Sequence, residues 1–238
     1  MTSRAPILLA PAYVLHRRPY RDTSLLLECF SRDHGRVGIV ARGGRGRLAG
    51  VLQAFAPLLL SWGGSGDLKT LTQAEADGYV DPPRGAALAA GFYLNELLLR
   101  ACARLDAHPG VYLAYQRTLS ALTTPAGSEA ALRYFERDLL AELGYGLLLE
   151  HDTDGATIDP GRRYHYRPER GPIRAEDGDL PGAALQALHA STLTDAGHLA
   201  AGKRLLRAQI SWHFGDRPLK SREFYHALAG RPAATTPD

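Results

Sequence analysis

TSLLLECFSRDHGRVGIVARG, residues 23–43, reads as two strands joined by a tight turn. Its first half alternates between two sets of side chains, one with Leu25, Leu27 and Cys29 and the other with Leu26, Glu28 and Phe30. Such alternation is what the two faces of a pleated strand require. Gly35 suits the positive φ of a hairpin turn. The stretch therefore predicts a β-hairpin.

The same pattern of short apolar runs and turn residues extends over about 65 residues around this hairpin. It predicts five strands, at residues 12–17, 23–30, 35–41, 52–62 and 67–75. Five strands of this length are too few for a β-sandwich of ordinary size, so closure into a small barrel is the economical way to protect the sheet edges. We therefore predict an OB-fold barrel.

The spacing of apolar residues becomes helical after the Pro/Gly-rich stretch DGYVDPPRG, residues 77–85. It predicts helices at residues 85–103, 108–122, 128–143, 181–190 and 195–214. In the third helix the predicted buried face consists of Leu132, Phe135, Leu139 and Leu143. Gly144 suits the position that follows the last turn of that helix.

The predicted fold class is α+β, with an N-terminal five-stranded OB-fold barrel followed by an α-helical domain. We place the barrel in residues 1–80, the helical domain in residues 81–228 and a disordered tail in residues 229–238. Residues 145–180 lose the helical periodicity, and they are predicted to form an irregular insertion with a short strand at 163–167.

The composition indicates a soluble protein of a reducing cytoplasm. Apolar residues make up 45% of the chain, and no apolar run has the length of a membrane span. Pro6 and Pro11 interrupt the first apolar run, so no signal peptide is expected. Cys29 and Cys102 are the two cysteines, which excludes a disulfide framework and a four-cysteine metal site.

The positive charge is concentrated near the N-terminus. The whole chain carries a net charge of +3, whereas residues 1–50 contain nine arginines against three acidic residues. This asymmetry favours a polyanionic partner, although a charge imbalance alone also fits a solvated face.

Two groups of basic residues are candidates for binding DNA. The first lies in or beside the predicted hairpin turns and in the glycine-rich stretch VARGGRGRLAG, residues 40–50; it contains Arg17, Arg18, Arg21, Arg36, Arg42, Arg45 and Arg47. The second lies near the other end of the chain and contains Lys203, Arg204, Arg207, Lys220 and Arg222, with Arg217 between them.

The first group suits phosphate binding, since arginines make salt-sensitive contacts with the backbone of nucleic acids and glycines let the chain approach it. Tyr13, Tyr20 and Phe55 could offer rings on which bases stack. The alternative is a solvated hairpin whose aromatic residues belong to the core, and for Tyr13, which lies in a strand, we favour the core.

Motifs for other chemistry are weak. Gly44, Gly46 and Ala49 match a dinucleotide-binding fingerprint, but the strand-like residues after them do not provide the helix that the fingerprint needs. The metal-ligating types in the insertion match no known ligand spacing; they are His151, Asp152, Asp154, Asp159 and His165. Serines and histidines are present without a catalytic signature. We therefore expect no active site, no metal and no cofactor.

Arg133 and Arg137 lie four residues apart beside the apolar stripe of the 128–143 helix. Such arginines could bind the carboxylates of an acidic peptide tail whose aromatic residue enters an apolar cleft. Simple pairing with Glu129 or Glu136 on the same helix is the alternative, and the residues alone favour it.

Six segments together resemble the RecO family of bacterial DNA repair proteins. In chain order they are AYVLHRRPYRDTSLLLECFSRDHGRVGIVARG, LQAFAPLLLSWGGSGDLKTLTQAE, GFYLNELLLR, ALRYFERDLLAELGYG, YHYRPERG and RPLKSREFY. They extend from about residue 12 to residue 228 and are therefore far more specific than any single motif. The resemblance is weakest over residues 145–180.

The resemblance implies an OB fold followed by a helical domain and a recombination mediator without catalytic turnover. Such a protein would bind single- and double-stranded DNA, anneal complementary strands coated by single-stranded-DNA-binding protein and, with RecR, promote loading of RecA. It would act in the cytoplasm, at the nucleoid during repair. Arg133 matches the arginine that this family uses for the acidic tail of single-stranded-DNA-binding protein, which favours tail binding over simple pairing.

Two departures from the family's pattern accompany the resemblance. Some relatives carry a four-cysteine zinc module where this chain has no cysteine, so zinc is not expected. The basic loop after Arg42 is also shorter than in many relatives. Two rival functions remain open from the sequence: an OB-fold binder of RNA or tRNA, and an enzyme such as a nuclease or a nucleotide-dependent oxidoreductase.

Overall fold

The computed structural model describes residues 5–124, 128–218 and 221, which fall into two compact units. The first contains the residues up to Thr123 together with Ser221, and the second contains Thr124–Pro218. The predicted α+β class is confirmed, because a closed five-stranded barrel precedes the helices. The predicted tail at 229–238 lies outside the described residues. None of the described helices has the length and apolarity that crossing a membrane demands.

The barrel consists of β1 (Ile7–Tyr20), β2 (Ser24–Ser31), β3 (Gly35–Ala41), β4 (Leu58–Gly63) and β5 (Leu68–Ala76). Its strand order is β1-β2-β3-β5-β4, closed by pairing of β4 with β1. The long β1 pairs with β4 in its first half and with β2 in its second, and the register shifts once in each pairing, as at a β-bulge. β3 and β5 pair in parallel. The inner set of β2 side chains, Leu25, Leu27 and Cys29, lies in the barrel core as the alternation predicted.

The predicted strand at 52–62 is too long, since β4 begins only at Leu58. Residues 42–51 form successive turns. The apolar side chains between β3 and β4 nevertheless belong to the core. Leu52 is fully buried, and Leu48, Val51 and Ala56 pack against the barrel interior. A loop that lines a core has the apolar composition of a strand, which explains the error.

Two helices complete the first unit, α1 (Ala86–Ala101) and α2 (Pro109–Leu122). α2 lays Tyr112 and Tyr115 against Tyr13 of β1, with ring centroids 5.4 and 5.1 Å apart. Asn95 of α1 donates a hydrogen bond to the Leu15 carbonyl oxygen at 2.9 Å and accepts one from the Tyr115 hydroxyl. Aromatic packing and a buried polar network thus fasten both helices to the barrel wall.

The second unit contains α3 (Ser128–Glu142), β6 (Arg163–Arg167), β7 (Gly171–Arg174), β8 (Leu180–Pro181), α4 (Gly182–His189) and α5 (Ala196–Phe214). α5 packs against α3 and α4. Gly144 has a φ of 85° and follows α3, as its position predicted. The segment 145–180 contains a three-stranded sheet in the order β7-β6-β8; the strand predicted at 163–167 is β6, whereas β7 was not predicted.

Candidate nucleic-acid interface

The outer face of β2 and β3, where OB folds commonly bind oligonucleotides, is covered here by the chain itself. Phe30 of β2 is fully buried, and its ring lies 6.1 Å from that of Tyr112. Beside it, Glu28 receives hydrogen bonds from Arg36 of β3 and from Arg104, which follows α1. This face is therefore not open to a nucleic acid.

Arg36, one of the predicted DNA-binding residues, is part of this covering. Its guanidinium pairs with Glu28 at 3.1 Å and donates to the carbonyl oxygens of Leu99 and, at 2.7 Å, Cys102 at the end of α1. Arg36 is the second residue of β3, whereas the arginine-rich loop follows the last residue of this strand, Ala41, so that about 16 Å of strand separates them. Because its donors are engaged at the other end of the barrel, we leave Arg36 out of the proposed interface.

The glycine-rich loop after β3 is folded onto the barrel. The Gly44, Gly46 and Ala49 amides each donate to a carbonyl oxygen three residues earlier, at 3.0 to 3.2 Å. These bonds define consecutive turns, so the loop holds a definite backbone conformation. The turns also show that the dinucleotide fingerprint lacks its helix.

Two arginines tie this loop to β1 and to the turn that follows β1. The Arg45 amide donates to the Thr23 carbonyl oxygen, and its guanidinium donates to the Asp22 carbonyl oxygen at 2.9 Å. From β1, the Arg17 guanidinium donates to the carbonyl oxygens of Ala49 and Leu52 at 3.3 and 3.2 Å. The loop and the β1–β2 turn therefore form one continuous end of the barrel.

This end carries six exposed arginines, which we call the arginine surface: Arg17, Arg18, Arg21, Arg42, Arg45 and Arg47. In the described residues, the side chains of Arg18, Arg42 and Arg47 have no hydrogen bond or ion pair, and Arg21 lies over the Tyr20 ring at 5.3 Å. Asp22 is the one acidic residue in the segments 17–25 and 41–54 that build this end. The arginine surface thus presents several free guanidinium groups with little opposing charge.

Two of the three aromatic residues proposed as stacking faces belong to the core. Tyr13 is buried against α2, and Phe55 is buried with its ring 5.2 Å from that of Phe92 in α1. Tyr20, half-buried beneath Arg21, is the aromatic residue of the three that borders the arginine surface. The arginine surface therefore offers a ligand mainly electrostatic contacts.

The second basic group lies on α5 in the other compact unit. Lys203 forms an ion pair with Glu129 at 2.9 Å, and Arg204 donates to the Asp179 carbonyl oxygen at 3.1 Å. Arg207 is exposed, and its side chain has no partner within the residues described. Lys220 and Arg222, also predicted to bind DNA, lie outside the described residues.

Arg133 and Arg137 occupy different environments on α3. Arg133 is 5% exposed and forms an ion pair with Glu136 at 2.6 Å. The sequence had offered this pair as the alternative to tail binding, but as a surface pair, and in the structure it is buried. Its Nε has no hydrogen-bond partner among the described residues. Arg137 is engaged by Asp138, by the hydroxyl of Ser191 and by the carbonyl oxygens of Leu188 and His189 where α4 ends. Arg137 therefore joins α3 to α4.

Three of the histidine and aspartate residues that were considered as metal ligands in the segment 145–180 make local hydrogen bonds. Asp152 accepts hydrogen bonds from the Asp154 and Ala156 amides, and Asp159 accepts one from the Gly161 amide. His165 lies 3.3 Å from carboxylate oxygens of both Asp177 and Asp179. Over the described part of the chain, no three histidine, cysteine, aspartate or glutamate residues are grouped as metal ligands.

Comparison with known proteins identifies the family to which this chain belongs. The sequence model of the Recombination protein O N-terminal domain matches residues 7–79, and that of the Recombination protein O C-terminal domain matches residues 83–223. The chain belongs to the RecO family. These matches cover the barrel and most of the helical part, so RecO membership rests on nearly the whole chain.

Individual RecO proteins are similar to this chain over nearly their whole length. The DNA repair protein RecO of Alkalilimnicola ehrlichii is 48% identical, over 97% of this chain and 96% of its own. That of Nitrosococcus oceani is 47% identical, over 93% and 94% of the two chains. That of Thiobacillus denitrificans is 41% identical, over 96% and 95%.

Two features of this RecO chain that bear on nucleic-acid binding were not predicted from its sequence. One is the covering of the β2–β3 face. Glu28 and Arg104 are 76 residues apart in the sequence, and no local sequence pattern predicts their hydrogen bond. The other is Trp212 on α5, which is 63% exposed. The signal for Trp212 was available, because it lies among basic residues on a helix without acidic residues.

Proposed function

We propose that this RecO-family protein acts in DNA repair and recombination as a mediator without catalytic turnover, in the cytoplasm and at the nucleoid. In this role it binds single- and double-stranded DNA and anneals complementary strands coated by single-stranded-DNA-binding protein. Together with RecR it promotes the loading of RecA. The observation that carries the proposal is the arginine surface, gathered at one end of a barrel whose usual oligonucleotide-binding face is covered.

The arginine surface suits a ligand that is recognised by its backbone. Its free guanidinium groups can each contact a phosphate, whereas two of the three aromatic residues that could hold bases, Tyr13 and Phe55, are buried against the helices α2 and α1. Strands bound in this way keep their bases available for pairing. Neutralised phosphates also repel each other less, and these two effects together favour annealing.

The second basic group contributes to DNA binding in this proposal through Arg207, with Lys203 and Arg204 beside it and Lys220 and Arg222 farther along the chain. Arg207 is the strongest candidate among the described members, because Lys203 and Arg204 already have protein partners. Their partners are an exposed carboxylate and a carbonyl oxygen, so both side chains remain accessible to a phosphate.

A salt series tests the arginine surface directly. The triple variant Arg18→Ala, Arg42→Ala, Arg47→Ala removes three free guanidinium groups and keeps Arg17 and Arg45, which hold the loop. We expect weaker binding of a labelled single-stranded oligonucleotide in fluorescence anisotropy. The slope of log K against log salt concentration should become shallower by about 2, since each lost phosphate contact removes about 0.7 for single strands.

The matched control removes the same charge elsewhere, by Arg32→Ala, Arg162→Ala and Arg170→Ala, three exposed arginines outside both basic groups. This control should keep the wild-type slope. Equal slopes for the wild-type protein and the first variant would exclude the arginine surface as a phosphate-binding site. An RNA oligonucleotide of equal length, bound more tightly than DNA, would instead favour an RNA-binding function.

Arg133 is proposed to bind the acidic tail of single-stranded-DNA-binding protein. What supports this is a buried guanidinium with an unused Nε, because a tail carboxylate that reached it would form a charge-assisted hydrogen bond at low dielectric. Docking on such a tail would raise the local concentration of the protein at coated strands. Arg137, named with Arg133 from the sequence, is left out because it joins α3 to α4.

The tail proposal is tested by titrating a labelled tail peptide. Arg133→Ala should abolish or strongly weaken peptide binding, while Arg137→Ala, on the same helix, should leave the peptide affinity of the folded protein unchanged. Unchanged affinity in Arg133→Ala would remove this residue from the tail site.

A further inference from the structure

The outward side of α5 is a basic surface with one large aromatic residue. The buried side of the helix is formed by Ala201, Gly202, Leu205, Leu206, Gln209 and Ile210. The opposite arc is exposed and carries Lys203, Arg204, Arg207, Ala208 and Trp212. Not one acidic residue occurs in the 19 residues of α5. This arc thus combines positive charge with an indole ring.

Trp212 differs from its aromatic neighbours in having an open ring. Tyr145 stacks on His213, with centroids 4.2 Å apart and planes 24° apart, and Phe214 packs edge-on against Tyr145. Trp212 makes no ring contact in the part of the chain that is described. An exposed tryptophan next to cations suits a ligand that has both a flat aromatic ring, which can stack on the indole, and a negative charge, which can pair with the cations.

The spacing along α5 leaves room for such a ligand. Arg204, Ala208 and Trp212 succeed one another at intervals of four residues and so form one ridge, about 12 Å long from the first to the last. Ala208 is small, and a strand can therefore approach the helix between the charge and the ring. Arg207 flanks this ridge with its guanidinium unpaired in the described residues.

We propose that Trp212 stacks on an unpaired base of single-stranded DNA whose phosphates contact Arg204 and Arg207. The inference rests on the proposed DNA binding and specifies which form of DNA the α5 surface takes. A base in a duplex already has neighbours on both faces, so it cannot cover the indole ring. Trp212 therefore makes the α5 surface selective for single strands, whereas the arginine surface contacts the backbone common to both forms.

Intrinsic fluorescence reports the stacking directly, because the chain has two tryptophans and the other, Trp62, is buried in the barrel. In a Trp62→Phe protein, Trp212 is the only indole. Titration with an oligothymidine should quench its emission, and a duplex of the same length should quench it much less. Circular dichroism of the variant verifies that the barrel is folded.

Affinity measurements on the protein with both tryptophans give a second, independent readout. Trp212→Ala should weaken single-strand binding by about 5- to 150-fold in anisotropy, while duplex affinity stays within about twofold of the wild type. Trp212→Phe keeps a ring and should recover most of the loss. Arg207→Ala is the matched control on the same helix: it removes a phosphate contact of the bound single strand and should make the salt slope of single-strand binding shallower by about 0.7, whereas Trp212→Ala should leave that slope unchanged.

The outcomes separate this inference from the function on which it rests. Binding of DNA with unchanged Trp212 emission and a wild-type affinity of Trp212→Ala would overturn the stacking role and leave the proposed function intact. Equal weakening of both forms by Trp212→Ala would overturn the selectivity for single strands. Absence of DNA binding by the wild-type protein would overturn both proposals.

Discussion

Glu28 links the two arginines that hold the helical segment over the barrel, and Glu28→Gln should destabilise the first compact unit. One carboxylate oxygen accepts hydrogen bonds from the Nε atoms of Arg36 and Arg104, both at 3.1 Å, and the other accepts from Arg104 Nη2 at 2.6 Å. The Glu28 side chain is 13% exposed. Glutamine has nearly the same shape, so the substitution mainly removes the charge.

The size of the effect follows from the burial of the three partners. Breaking a buried ion pair costs about 3–5 kcal/mol, because it leaves an uncompensated charge. Arg36 keeps its carbonyl acceptors, and the half-exposed Arg104 can return to water, which together reduce the cost. We therefore expect the free energy of unfolding at pH 7 to fall by about 2–3 kcal/mol in urea titrations.

The pH dependence has a definite sign. Burial by itself raises the pKa of Glu28, but hydrogen bonds and charge from Arg104 and Arg36 outweigh it and lower the pKa below 4.5. The carboxylate therefore contributes stability that is complete above the pKa of the unfolded chain and is lost as the pH falls through the folded value. The difference between the wild type and Glu28→Gln should shrink on acidification below pH 4.5.

Asp33→Asn is the control for this prediction, because Asp33 pairs with Arg32 at 3.1 Å while both side chains are almost half exposed. We expect a change below about 0.5 kcal/mol for it, as for other surface pairs. A loss below about 1 kcal/mol for Glu28→Gln, or a loss equal to that of the control, would refute the view that this carboxylate fastens the segment.

Two further predictions concern the backbone and the thiols. Gly35→Ala should lower Tm by far more than Gly43→Ala. Both glycines have φ near 64°, so the backbone strain of the substitution is the same at the two positions. A Cβ at residue 35 would lie 1.9 Å from the Asp106 carbonyl oxygen, whereas a Cβ at residue 43 would meet no atom within 4 Å. Similar losses in thermal melts of the two variants would contradict that contact. Burial raises the pKa of Cys102 to about 11 and also raises that of Cys29. Both thiols should therefore stay unreactive towards a disulfide reagent at pH 8 until the protein unfolds, and rapid labelling of the native protein would show that they are accessible.

The elements that local spacing determines could be predicted from the sequence. The hairpin of β2 and β3 and the five helices follow from alternation and from helical periodicity, and the predicted helices agree with the observed ones to within about two residues at each end. Residues 52–57 could not be assigned in this way. Their apolar side chains pack against the core from a loop, and burial imposes the same composition there as in a strand.

The sequence predicted which residue types form the candidate site better than it predicted which of those residues lie together on the surface. Arg42, Arg45 and Arg47 are exposed at one end of the barrel as expected, because glycine-rich basic segments rarely enter a core. Arg36 looked equivalent in the sequence. Its carbonyl acceptors, in Leu99 and Cys102, lie more than 60 residues away, and only the folded chain shows that its guanidinium is used internally.

The covered β2–β3 face has a consequence for any attempt to study the barrel alone. A fragment that ends near residue 80 would retain all five strands but lose α2, whose tyrosines shield Tyr13 and Phe30. Its newly solvated rings would form an aromatic wall at the place where free-standing OB folds hold nucleic acid. A DNA affinity measured with such a fragment would therefore include binding to a surface that α2 covers in the whole chain.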